Sequence, residues 1–159
     1  MRAGLVLQKK CLPPKVFDAP RILILGSLPG QKSLETQLYY ANRGNRFWPM
    51  VTNIYGEERP TSTEQMDHLL TKHRIALWDV YASVFRDGSS DSSMKNTVTN
   101  DIAGFLKEHP TIEKVLVAGK KAQNGYEKLN IKAAYFPVPS TSGANARFDE
   151  SKWREALEK

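Results

Sequence analysis

Three clusters of small and polar residues have the types and spacing to hold a polar ligand. The first is Gly26-Ser27-Leu28-Pro29-Gly30, with Ser33 close behind. Its glycines allow close backbone approach and its amides can hydrogen-bond a carbonyl or a phosphate, although such a sequence taken alone is an ordinary turn. The second is Pro139-Ser140-Thr141-Ser142-Gly143-Ala144-Asn145-Ala146, whose hydroxyls and amides suit phosphate oxygens and equally suit a capped loop before a helix. The third is Tyr39-Tyr40-Ala41-Asn42-Arg43-Gly44-Asn45-Arg46-Phe47-Trp48. The neutral amide of Asn45 can place a water but not take its proton, and the same residue ahead of a helix has the character of an N-cap. Phe47 can stack on a planar ring or anchor a helix in the core; Trp48 reads as a core anchor. Asp79, in Leu77-Trp78-Asp79-Val80, offers a carboxylate that accepts from an N–H or caps the segment after it.

Other chemistries find little in the sequence. Cys11 sits in a Pro-flanked leader and reads as a passive thiol. His68, His73 and His109 lie in or beside predicted helices, away from the three clusters, in surface or capping roles. No lysine stands out as a Schiff-base nucleophile, and one cysteine with scattered histidines makes no metal-ligand cluster.

The clusters follow elements that can position them. Short apolar runs at residues 22–25, 75–78, 115–118 and 133–138 read as strands, and each lacks strict alternation, as parallel strands covered on both faces do. Helical character falls between and after them, at residues 47–54, 64–72, 101–107, 122–129 and 152–157. Strand and helix repeated in this way imply an α/β fold on a parallel sheet. Such sheets bind ligands beyond the carboxyl ends of their strands, which is where residues 26–33, 79–96 and 139–147 fall. The Ser-rich residues 87–93 read as an ordered loop or linker, and Ser92, Ser93 and Lys95 as an ordinary polar loop or as phosphate contacts.

A chain of 159 residues with 40% hydrophobic content can build one core. We expect a leader over residues 1–20 packed on a single domain over residues 21–159. The 23 Lys and Arg against 17 Asp and Glu give a net charge of +6, a bias that suits a polyanion without identifying one. The single cysteine cannot form an internal disulfide, and no apolar run is long enough for a signal segment or membrane span. A reducing, cytoplasmic location and a monomer are expected.

Taken together and in this order, the motifs closing the strands resemble the hypoxanthine-DNA glycosylase branch of the uracil-DNA glycosylase superfamily, from about residue 21 to the end. The resemblance implies a three-layer α/β/α sandwich with a central four-stranded parallel sheet. It also implies hydrolysis of the N-glycosidic bond of a flipped deaminated base in double- or single-stranded DNA, without a cofactor and without strand cleavage. Asn45 matches the branch's catalytic asparagine and would position the water. Gly26, Ser27, Leu28, Phe47 and Asp79 would contact the base, Asp79 by reading its edge. Pro29, Gly30, Ser33, Ser140, Thr141, Ser142, Gly143 and Asn145 would hold the DNA, with Asn145 and Arg147 filling the gap left by the base, contacting the opposite strand or, equally, standing solvated.

Two positions depart from the pattern. Leu28 stands where much of the superfamily has an Asp or Asn before the Pro, and Gly143 stands where the branch has Pro after Thr-Ser, which would loosen the loop. The histidine that several relatives carry in the last loop is absent, and Ser140 is the nearest match. The alternatives are a uracil or mismatch glycosylase, or a lesion-binding protein that has lost catalysis, which Leu28 keeps open. A nucleotide-binding α/β protein is disfavoured because no Gly-Lys-Ser/Thr follows the first strand.

Overall fold

A computed structural model of the chain describes residues 5–87 and 95–158. Ser92 and Ser93 lie outside the described residues, as does the side chain of Lys95.

The four predicted strands are present and form one parallel sheet. They are β2 (Ile22–Gly26), β3 (Ile75–Asp79), β6 (Lys114–Ala118) and β7 (Tyr135–Val138), in the order β3-β2-β6-β7. Alternate residues of β2 face opposite ways. Ile22 and Ile24 join a core with Met50, Val51, Leu69, Leu70, Trp153 and Leu157, whereas Leu23 and Leu25 join one with Ile102, Phe105, Ala122 and Tyr126. Both faces are therefore covered, which explains why the strands read as unbroken apolar runs. One covering layer comprises α2 (Phe47–Tyr55), α3 (Thr63–His73) and α6 (Glu150–Glu158); the other comprises α4 (Ile102–Glu108) and α5 (Lys120–Lys128). Short α1 (Gln31–Thr36) follows β2 and was not predicted.

A second sheet was also not anticipated. Strands β1 (Leu5–Lys10), β4 (Tyr81–Asp87) and β5 (Lys95–Thr99) pair antiparallel in the order β1-β4-β5, so Asp87 ends a strand, and residues 88–93 of the expected loop lie outside the described residues. After β1 the chain returns to the parallel sheet. Lys15 exchanges two 2.9 Å backbone bonds with Leu77, Leu12 is buried in the core, and Tyr39 donates its hydroxyl to the carbonyls of Leu12 and Pro13.

The strand order reverses between β2 and β6. The chain winds one way from β2 to β3 and the other way from β6 to β7, which leaves a crevice at the carboxyl ends of the strands. The parallel register places Gly26 directly beside Asp79 there.

Candidate active site

A cavity of about 520 Å³, within the usual size of a small-molecule cleft, opens at that crevice. Gly26, Ser27, Leu28, Pro29, Gly30 and Ser33 line it from the end of β2, Asp79 from β3, Ala118 from β6, and Ser140, Thr141, Ser142, Gly143 and Ala144 from the loop after β7. Tyr39, Tyr40, Asn42 and Asn45 close it. Of the described residues given a base or DNA role from sequence, Phe47, Asn145 and Arg147 do not line it.

Asp79 is 4% exposed, and its Oδ2 is buried without a hydrogen-bond partner. Burial pushes its pKa up to about 7. The backbone around it is fixed: its carbonyl accepts from Asn100 Nδ2 at 2.8 Å, and the Val80 amide donates to Gly26 O at 2.8 Å. A Cβ at residue 26 would lie 2.9 Å from Asp79 Oδ1, so glycine there leaves room for the Asp79 carboxylate to lie against the end of β2.

Asn45 sits at the start of α2, and its Oδ1 accepts the Phe47 amide at 2.9 Å. The N-cap position of α2 is Arg46, one residue later, and carries no side-chain cap, so Asn45 is not the cap its sequence suggested; its bond to Phe47 is an Asx turn leading into the helix. A carbonyl oxygen has a second lone pair, so this turn holds the side chain at the cavity wall without exhausting its acceptor capacity.

The loop carrying Asn45 is tied to the loop after β7. The Arg46 amide donates to Thr141 O at 2.9 Å, and the Arg46 guanidinium donates to Ser142 O and Asn145 O at 3.2 and 2.9 Å. A Cβ at residue 143 would stand 2.8 Å from Gly44 O. Gly143, expected to loosen this loop, instead permits a close backbone contact. Within the loop, the Asn145 side chain donates to Ser140 O at 2.9 Å and accepts from the Arg147 amide at 3.1 Å. Asn145 therefore braces the loop. The hydroxyl of Ser33, 4% exposed, accepts from the Ala41 amide at 3.1 Å and joins the Tyr-Tyr segment to α1.

Phe47 is fully buried. Its ring stacks on Tyr40 at 4.0 Å and meets Trp48 and Trp153 edge-on, so Tyr40 stands between it and the cavity. Trp48 is a core anchor, its Nε1 donating to Tyr39 O at 3.0 Å. Leu28 lines the cavity and also packs on the core beneath the other sheet face. Tyr39, Tyr40 and Asn42 belong to the motif read from sequence, yet nothing in their types separated them from neighbours that face elsewhere.

The uracil DNA glycosylase superfamily model matches residues 14–159. The chain belongs to this superfamily. It is 38% identical over 151 residues to a hypoxanthine DNA glycosylase of Methanosarcina acetivorans, covering 91% of this chain and 95% of the relative. It is 33% identical to a hypoxanthine DNA glycosylase of Methanosarcina barkeri, over 96% of this chain and all of that one. A solution NMR structure from Methanosarcina acetivorans, provisionally described as a uracil DNA glycosylase, superposes with a TM-score of 0.83 at 36% identity, covering 94% of this chain and 96% of that one. The central four-stranded parallel sheet between helices is the fold that the resemblance implied. Among the described residues no helix is long and apolar enough to cross a membrane.

Proposed function

We propose that this DNA glycosylase releases hypoxanthine from deoxyinosine in DNA, with the cavity at the strand ends receiving the flipped base. The observation that carries the reading is Asp79, a buried carboxylate with an unpartnered oxygen at the cavity. Leaving a buried acceptor unmade costs about 1–3 kcal/mol, and more when it is charged, so a ligand with a matching donor is strongly selected there. Deamination supplies that donor. It turns a ring nitrogen that only accepts into an N–H, and Asp79 accepts from that N–H while repelling the ring lone pair of the undeaminated adenine or cytosine.

In the reaction a water oxygen bonds to C1′ as the glycosidic C–N bond breaks. The bonding electrons leave with the base, which takes up a proton. The transition state carries cationic sugar, so the nucleophile needs placement more than activation. Asn45 positions the water, and the DNA phosphates stabilise the positive charge. Gly26, Ser27 and Leu28 lie along the base, while Pro29, Gly30, Ser33 and the amides and hydroxyls of Ser140, Thr141, Ser142 and Gly143 face the flanking backbone.

A gel assay tests this directly. Duplexes carrying hypoxanthine, uracil or xanthine are incubated with the protein and cleaved with alkali, and release from the hypoxanthine duplex is expected to be fastest. Fastest release from the uracil duplex would move the assignment to a uracil glycosylase, and no release from any would support a lesion-binding protein.

A further inference from the structure

Asp79 stands where the chain leaves one sheet for the other. It ends β3, and only Val80 separates it from Tyr81, the first residue of β4. The peptide groups on either side of Val80 therefore need partners from both neighbouring segments. On one side the first loop holds them: the Val80 amide donates to Gly26 O at 2.8 Å and the Tyr81 amide to Ser27 O at 3.2 Å. On the other side one residue holds both carbonyls. Asn100 donates its backbone amide to Val80 O and its side-chain Nδ2 to Asp79 O, each at 2.8 Å.

Asn100 lies outside the motifs read from the sequence and does not line the cavity. The second sheet brings it there. Strand β5 pairs with β4 so that Thr99 stands opposite Tyr81, and the next residue along meets Val80. Cys11 orients the Asn100 amide from behind, its Sγ accepting from Nδ2 at 3.5 Å and donating to Oδ1 at 3.7 Å. The Cys11 amide in turn donates to Ala82 O at 2.8 Å.

The Asp79 carboxylate has no comparable support at its Oδ2, which is buried without a partner, so the direction in which it faces the cavity is inherited from the backbone that carries it. Small errors in that direction matter, because a misplacement of about 1 Å at a reacting site can cost about a hundredfold in rate.

We infer that Asn100 is a positioning residue for base excision: by holding the carbonyls of Asp79 and Val80 it aims the Asp79 carboxylate at the base. The inference rests on the reading of Asp79 as the group that accepts from the base N–H. It gives the second sheet a part in the reaction, since the pairing of β4 with β5 is what carries Asn100 to the strand end. Without Nδ2 the Asp79 carbonyl is left an unmade acceptor in a buried residue, and the segment turns toward another donor, taking the carboxylate with it. The phosphate contacts are untouched, so the effect falls on rate and not on DNA affinity.

Single-turnover excision of hypoxanthine tests this, run below the melting temperature of each variant. Asn100→Ala is expected to lower the limiting rate about tenfold and to leave the half-saturating DNA concentration unchanged. In an Asp79→Ala background the same change is expected to alter the rate by less than about twofold, because two residues that act through one group are not additive. Asn100→Ser, which keeps a polar group but lacks the reach to Asp79 O, is read by the same criteria should Asn100→Ala not fold. A parental limiting rate in the single variant, or an equal loss with and without the Asp79 carboxylate, would overturn the inference and leave Asn100 a structural link between the sheets. An Asp79→Ala protein as fast as the parent would instead sink the base-site reading itself.

Discussion

Asn45 is asked to do two things at once, and their magnitudes separate them. Its turn bond to the Phe47 amide is worth about 1 kcal/mol of stability, whereas misplacing a catalytic water would cost orders of magnitude in rate. Asn45→Ala is therefore expected to lose most base release while thermal unfolding shows a loss of no more than about 1 kcal/mol. Asn45→Asp preserves the oxygen of the turn and supplies a second comparison; near wild-type excision by both variants would leave Asn45 with a structural role alone. Asp79 accepts from an N–H most strongly, and offers no proton to a ring lone pair, only when ionised. Because burial holds its pKa up to about 7, excision is expected to rise as pH increases through about 7. Asp79→Asn should flatten that profile, since an amide does not titrate. Asp79→Ala should bind lesion DNA nearly as well as the parent, because phosphates dominate affinity, but excise hypoxanthine roughly tenfold to a hundredfold more slowly. Equal pH profiles for parent and Asp79→Asn would return Asp79 to a structural role.

At the level of elements, two loops from opposite ends of the chain make one wall of the site. Arg46 threads three bonds into the loop after β7, and the backbones of Gly44 and Gly143 touch where no side chain fits. Gly143→Ala would place its methyl 2.8 Å from Gly44 O and 3.2 Å from the carbonyl carbon, which are backbone atoms that cannot rotate aside. Overpacking of this kind costs about 1–3 kcal/mol, and here the strain is relieved by parting the loops that carry Asn45 and Thr141. Gly143→Ala is therefore expected to lower both the melting temperature and the excision rate. A variant with parental kinetics would show that the two loops need not stay in contact.

The molecule as a whole carries a net charge of +6 and opens its cavity at one edge of the parallel sheet. If the face bearing the strand-end loops meets the phosphate backbone, binding releases counterions in proportion to the contacts made. Filter-binding or anisotropy titrations are expected to show affinity falling steeply from low to physiological salt. An affinity independent of salt would count against a phosphate-lined face. The loss should be similar for lesion and matched duplexes, since phosphate contacts carry no base information, whereas excision should still separate them.

The sequence by itself determined the parallel sheet, because strands buried on both faces must be apolar throughout, and it determined which strand ends carry polar motifs. It also marked Asn45 and Asp79 as side chains able to place a water and read an N–H. What it left open depended on partners far away in the chain. Strands β1 and β4 show themselves only when paired, since an antiparallel ladder joining Leu5 to Asp87 has no signal within either segment. Asn145 has a phosphate-binding side chain by type, and only folding spends it on Ser140 and Arg147. Phe47 and Tyr40 are both aromatic residues of one motif, so composition could not decide which faces the cavity. That was settled by a left-handed turn at Tyr40 that lays its ring over Phe47, a choice of backbone angle fixed by tertiary contacts and not by the residue itself.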